Sequence, residues 1–376
     1  MNKQLSLLKQ LFFSILMLML SLQANGKTTY NKWESDKLST LQGKGTEDDP
    51  YLITSAKDFA TFATAVYDGK SSFNGKYILQ TADISFNPEA VSSGKFDGLS
   101  TITYALPAGS KWGWSSDYFK GIYDGGGHKI SGLYYSTKHI SNIQWMGVFG
   151  GLKNAVVKNL TIEDCYFDLS SESGIENSFG ILAGRSENSI IANCEVMRCK
   201  MNISNTESGT DIGGFIGHVE NGTTIMNCSL LGRSELNCQT TRSAHIGGFV
   251  GYCKVDRSSK NSSVNVKNSE AYGDIKVNTT LDRNLDGFMY SGLLNTSMSA
   301  GNINDNSTVN ISGCTDKMYI TVYTPTIKDG SSKKYQVTGM SVNSFANWVD
   351  RVEDCLDESI IIFGDSHSYF KNGLIR

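Results

Sequence analysis

A column of polar residues recurs through the middle of the chain at a near-fixed interval: Asn177, Asp211, His245 and Asp286. If that interval is a structural repeat, Asp211 and His245 stand on neighbouring copies and touch. Asp211 and Asp286 then lie two copies apart, about 10 Å on a strand spacing of about 4.8 Å. Paired carboxylates near that separation serve as acid and base in glycoside cleavage, so these residues could act on a polysaccharide. The plainer use is a solvated turn ladder in which the imidazole relieves carboxylate repulsion. A second candidate is Trp112-Gly113-Trp114, with Tyr118 and Phe119 close behind. In extended chain the i, i+2 spacing turns both indoles to one side, as a platform for a sugar or a protein partner. Burial of both rings under an inserted segment is the alternative. A third is the apolar run Ser359-Ile360-Ile361-Ile362-Phe363, which leads into Gly364-Asp365-Ser366-His367. A serine there is a nucleophile only with a base to activate it. His367 is its immediate neighbour, and no Asp-x-x-His pair stands between Ser366 and Arg376. As read, Ser366 is inert.

Eight cysteines could form a disulfide framework. Cys194 and Cys228 occupy equivalent positions one copy apart, as do Cys165 and Cys199. Neighbouring strands at about 4.8 Å are wider than the roughly 3.8 Å between Cβ atoms in a disulfide. These cysteines therefore read as buried thiols filling a narrow core. None has zinc-type spacing with His, and no pattern asks for a metal or another cofactor.

What must position these residues is a repeat. Gly213-Gly214-Phe215-Ile216-Gly217 returns 34 residues later as Gly247-Gly248-Phe249-Val250-Gly251. Weaker copies stand at Phe149-Gly150, at Gly180-Ile181-Leu182-Ala183-Gly184 and near Ser291-Gly292-Leu293. Each copy also carries a β-branched residue, one residue, then Asn: Val157-Lys158-Asn159, Ile191-Ala192-Asn193, Ile225-Met226-Asn227 and Val266-Lys267-Asn268. An i, i+2 apolar pair follows, as in Phe167/Leu169, Met201/Ile203, Leu236/Cys238, Ile275/Val277 and Ile320/Val322. That spacing puts both side chains on one face of a strand. Three short β-rich runs per copy, parted by Gly, Asn, Ser and Thr, predict an all-β solenoid, a parallel β-helix of five coils. A propeller is the competitor, but its blades need four strands and roughly 40 or more residues each. The Asn column suits left-handed corners whose amides bond from coil to coil.

The ends need covers. Ser55-Ala56-Lys57-Asp58 is a capping-box phrase, and Phe59, Phe62, Ala63, Val66 and Tyr67 follow at helical spacing, which predicts a helix over the first coil. Phe345, Trp348, Val349 and Val352 make a second amphipathic stretch, so a C-terminal α/β segment is expected. The expected divisions are an export signal at 1–26, an N-terminal cap at 27–75, the β-helix at 76–325 and a C-terminal cap or new domain at 326–376. The signal rests on Lys3 and Lys9, the apolar run Leu11 to Leu22, and Ala24-Asn25-Gly26. No Cys follows the run, which argues against a lipid anchor, and twelve residues fall short of the roughly 20 that span a bilayer. Loss of 1–26 removes two lysines and no acid, moving the formal charge from -3 to -5. So mild a charge, without a basic face, argues against a nucleic-acid partner, and membrane insertion is not expected.

Several of these segments resemble the GLUG-repeat β-helix surface proteins of bacteria. Gly43-Lys44-Gly45-Thr46-Glu47-Asp48-Asp49-Pro50-Tyr51-Leu52-Ile53 is similar to the phrase that opens such domains. Phe119 through Leu133, with Asp124-Gly125-Gly126-Gly127-His128 at its centre, resembles their first coil. Gly147-Val148-Phe149-Gly150 with Val157-Lys158-Asn159-Leu160 resembles the next. The resemblance covers roughly residues 41–320. It implies a right-handed β-helix on, or released from, a bacterial surface, often in adhesin-like proteins, and it implies no catalytic residues. The Gly364-Asp365-Ser366 phrase is similar to the first block of the SGNH (GDSL-type) hydrolases, which places the nucleophile at Ser366 but supplies no partner. The expectation is a secreted or surface-held, non-enzymatic module that binds a glycan or a host matrix protein. The alternatives are a carbohydrate-active enzyme on the same fold and an accessory module of a truncated SGNH-type hydrolase.

Overall fold

The computed structural model describes residues 32–375 except 88–89, 91–94, 97–103, 110–117, 141–142, 171–176, 205, 207–208, 241–243, 256–262, 280–287, 292–293, 299–308, 324–334, 339–340, 344–350, 354, 359, 364–365 and 372–373. Trp112, Trp114, Asp286 and the expected export signal lie outside the described residues. What is described is mostly β, with one α-helix, Ala56–Tyr67, and strands that pair almost entirely in parallel.

Each copy of the repeat lays its strands beside those of the next. In one sheet the order runs Val156–Lys158, Ile190–Ala192, Thr224–Met226, Val264–Lys267, Val309–Ser312, so neighbours in space are successive copies. Val157, Ile191, Ile225, Val266 and Ile311 therefore stand one over another, all buried. Each such side chain contributes roughly 1.5–3 kcal/mol relative to exposure. A second sheet is built the same way. Two smaller sheets hold the segments either side of the Gly-Gly-Phe phrase. Within the core Phe215 lies flat on Phe249, with centroids 4.6 Å apart.

The sequence predicts three strands per copy, and the copy at 178–203 has five: Ser178–Gly180, Ala183–Glu187, Ile190–Ala192, Glu195–Met197 and Lys200–Ile203. Three of its four breaks fall at Asn188, Asn193 and Arg198, which have φ of 46°, 53° and 51°. One left-handed residue bends an extended chain sharply, so a run that reads as continuous strand is cut in two. The Asn column is the expected ladder. Asn193 donates to Asn159 Oδ1 at 3.1 Å and Asn227 donates to Asn193 Oδ1 at 3.2 Å.

After several of the left-handed corners comes a small buried residue, Cys or Ser. Cys194, Cys199, Cys228 and Ser269 each donate a side-chain hydrogen bond to the carbonyl two residues back, at 3.3, 3.3, 3.2 and 2.9 Å. Two of them also receive an N–H from the preceding copy: Cys165 N–H reaches Cys199 Sγ at 3.4 Å and Cys228 N–H reaches Ser269 Oγ at 3.2 Å. Thiol and hydroxyl thus relay one hydrogen bond per corner, which is why they exchange within one column. All eight cysteines are buried and unbridged.

The ends differ from expectation at one side only. The helix Ala56–Tyr67 starts where predicted: Asp58 N–H donates to Ser55 Oγ at 3.2 Å and Ser55 donates to Asp58 Oδ2 at 2.8 Å. Its Phe62 ring packs 5.4 Å from both Phe119 and Tyr123, over the open end of the core. At the other side Val352, expected in a helix, stands in the strand Arg351–Glu353 opposite Ile311. Phe345, Trp348 and Val349 lie outside the described residues. Parallel pairing continues past residue 325 through Ile360–Phe363, and among the described residues of 326–376 every element is a strand. A β-branched residue over another satisfies a ladder as well as it satisfies helical spacing.

The corner relay makes a prediction. Replacing Cys199 by Ser keeps both hydrogen bonds and should leave the thermal midpoint nearly unchanged. Cys199→Ala strands the buried Cys165 N–H and should cost about 1–3 kcal/mol, read as a lowered midpoint by circular dichroism.

Candidate functional site

The Gly-Gly-Phe phrase is an arch. Thr210–Gly213 enters it, Ile216–Glu220 leaves it, and the two strands belong to facing sheets. The glycines are required by closeness. A Cβ on Gly217 would come within 2.5 Å of Phe179 N, and one on Gly251 within 2.5 Å of Ile212 C. The two sheets therefore meet backbone to backbone along a seam of glycine, and any side chain there would drive them apart.

Just beyond the seam the strands carry polar side chains toward each other. Asp211, only 5 % exposed, accepts from two imidazoles: His218 Nδ1 lies 2.7 Å from Oδ2 and His245 Nδ1 lies 2.7 Å from Oδ1. A carboxylate facing both rings requires hydrogen on each Nδ1. His218 Nε2 turns to Glu220 Oε2 at 3.5 Å, an ion-pair distance too long for a good hydrogen bond. Arg185, from the preceding copy, closes on Glu220 Oε1 at 2.6 Å and lies over the Trp145 ring at 5.4 Å. Tyr252 stacks on His245 with centroids 4.2 Å apart. Two acids, one arginine and two histidines from three successive copies are thus locked together between two sheets.

The GLUG family profile matches residues 208–234, which span this arch, Asp211, His218, Glu220 and the corner at Asn227. The chain carries a GLUG motif. No curated protein matches it. Among solved structures the chain is similar to that of a putative immunoglobulin A1 protease from Bacteroides ovatus, at 16% identity over 80% of this chain and 86% of that one. The TM-score is 0.39, and so distant a likeness carries no argument about fold or activity.

Measured against the GLUG arch, the polar column divides. Asp211 and His245 are opposite each other and bonded, as their spacing predicts. The residue opposite His245 in the next copy is Met289, not Asp286. Extra residues before the strand Phe288–Ser291 lengthen that step, so counting one Asn interval forward lands short. Asn177 also misses its place, because Ser178 stands opposite Asp211. Asn177 instead donates through Nδ2 to Ile143 O at 3.0 Å. His218, Glu220 and Arg185 were not singled out by the sequence. Their signal is symmetry about the arch: residues 211 and 218 flank Gly214-Phe215 at equal distances, and facing strands bring such positions together. Of the remaining candidates, Tyr118 and Phe119 are buried, and Ser366 opens the strand Ser366–Lys371, which returns antiparallel to Ile360–Phe363. Among the described residues no group of three or more His, Cys, Asp or Glu side chains is arranged to hold a metal.

Charge in the GLUG cluster is set by opposing effects. Burial pushes the Asp211 carboxyl up, but hydrogen bonds from His218 and His245 outweigh it and hold it below its ordinary value. For Glu220 burial is again opposed, by His218 and Arg185, and the group is lowered to about 2. Burial pushes His218 down, yet Asp211 and Glu220 carry it above 6.5. A lowered acid contributes stability above its unfolded value, and that contribution is lost as pH falls through the folded value. A raised imidazole contributes stability below 6.5, and that is lost as pH rises through its folded value. The network is therefore at full strength between the ordinary values of 4.5 and 6.5 and weakens on either side. Thermal midpoints of the wild-type chain should fall from pH 6 toward pH 8.5. His218→Gln should flatten that slope and cost roughly 3–5 kcal/mol by leaving buried charge unpaired. An unchanged slope in the variant contradicts the assignment.

Proposed function

We propose that the chain is an extracellular, right-handed parallel β-helix of bacterial surface type, exported by residues 1–26, which binds a glycan or host matrix protein without a chemical step. The observation that carries this reading is the state of Asp211. Its two oxygens are taken by two imidazoles, it is buried, and the Glu220 carboxylate beside His218 is itself held by Arg185 and His218. Glycoside cleavage needs one carboxyl free to give a proton and another open to water or to the sugar. Neither acid here is so placed, and the column offers Met289 where a second carboxylate was expected. The cluster reads as a fastener between copies.

The address rests on the GLUG motif and on the reading of 1–26 as an export signal. No helix among the described residues is long and apolar enough to cross a membrane. Continuous outward faces repeated at each rung suit the capture of long or repetitive ligands.

The test separates binding from turnover. The secreted chain should bind an immobilised matrix protein or polysaccharide while releasing no reducing sugar over many hours, and His245→Gln should bind equally well. Time-dependent release of reducing sugar that His245→Gln abolishes, at an unchanged melting temperature, would establish the carbohydrate-active enzyme instead.

A further inference from the structure

One outward face carries polar side chains of which only some are paired with a neighbouring copy. The strands Tyr166–Leu169, Lys200–Ile203, Ser229–Thr240, Glu270–Thr279 and Tyr319–Tyr323 lie side by side in register. Phe167, Met201, Leu236, Ile275 and Ile320 point inward and are buried. The alternate residues therefore face outward, and each stands over its equivalent at about 4.8 Å.

At the start of this face Phe96 stacks on Tyr166, with centroids 5.4 Å apart, and forms a wall. From there Asn202 donates to Tyr166 Oη at 2.7 Å and Asn237 donates to Asn202 Oδ1 at 3.0 Å. The amide chain stops at Asn237. Beyond it Asp274, Lys276 and Tyr319 make no side-chain hydrogen bond or ion pair with another described residue. Tyr319 is 41 % exposed, one of two large apolar side chains so exposed among the described residues.

We propose that this strip binds an uncharged glycan chain lying along the solenoid axis between Tyr166 and Tyr319, over Asn202, Asn237, Asp274 and Lys276. This rests on the reading of the chain as a binding module and names its ligand class and surface. The rung spacing is comparable to the length of one pyranose unit in an extended glycan, so successive sugars meet equivalent positions. Hydroxyl groups both donate and accept, which suits alternating amide, carboxylate and ammonium groups. The aromatic ring at the far end offers an apolar sugar face a platform of the kind ligand sites use. Charge selects against other partners. Lys200 lies 3.5 Å from Glu235, and Asp274 and Lys276 stand two residues apart on the same face, so the strip is balanced. A polyanion would need a basic strip and a basic peptide an acidic one.

The full chain is titrated against barley β-glucan, xylan, galactomannan and yeast mannan as uncharged probes, heparin as polyanion and fibronectin as protein. At least one uncharged polysaccharide should bind in preference to heparin. Asn237→Ala and Tyr319→Ala should each weaken it roughly three- to tenfold, the worth of one net polar contact. Lys276→Gln, at an exposed position, repeats the test should Asn237→Ala fail to fold. Lys267→Ala, on a different sheet, should leave the affinity alone. Equal affinity in all variants, or preference for heparin, overturns the strip. If fibronectin binds and no uncharged glycan does, the strip is wrong and the binding module stands. If none of the six binds, both readings fall.

Discussion

Register between successive copies is the constraint on which everything else depends. A parallel ladder pairs each residue with its equivalent one copy away, so a side chain must be compatible with another of its own kind directly above it. Apolar columns such as Val157, Ile191 and Ile225 satisfy this by burial. Amides satisfy it by bonding along the column, and Cys or Ser by relaying one hydrogen bond at each corner. Like charges satisfy it only with a cation for each, as where Glu187 stands over Glu220 and Lys153 and Arg185 hold them at 2.7 and 2.6 Å. At Glu163 and Asp164 the protein answers with Arg198, whose guanidinium reaches both acids at 2.7 and 2.8 Å.

The polar cluster in the GLUG arch is the same constraint met between facing sheets. The glycine seam brings two backbones into contact, and beyond it Asp211, His218 and Glu220 are buried. Ions there must be paired or they cost several kcal/mol each. Asp211 between two imidazoles, and Glu220 between His218 and Arg185, form the paired solution. Asp211, His218, Glu220 and Arg185 thus meet the demand of the stack that buried charge be paired. On one outward face the constraint is met only in part: Asn237 donates to Asn202, while Tyr319 stays 41 % exposed.

How far the sequence discloses this follows from what repeats. The copies, the Asn ladder, the inward apolar pairs and the N-terminal helix are legible because the ladder forces like residues to recur, and because Ser55 and Asp58 form a recognisable cap. The five-strand rung is legible only at Asn193, because its other left-handed corners, at Asn188 and Arg198, lie outside that Asn column. Arg198 has positive φ although arginine is no turn residue. Asp286 is misplaced because an insertion alters the step locally, and Met289 takes the position instead. His218 escapes notice because its partner lies seven residues away across an arch and not one copy away. The C-terminal strands were obscured by a Val352 that fits helical spacing and ladder alike.

Deleting one copy in frame tests the central claim most directly. Removal of residues 194–227 joins Asn193 to Cys228, restores the same phrase and shortens the stack by a whole period of 34. The account predicts a folded chain with native-like β circular dichroism and a cooperative melt. Removal of 194–226, one residue fewer, leaves an extra residue at the tight Asn corner that only a bulge can absorb, and that chain should melt at a lower temperature. Equal behaviour of the two deletions would contradict the account.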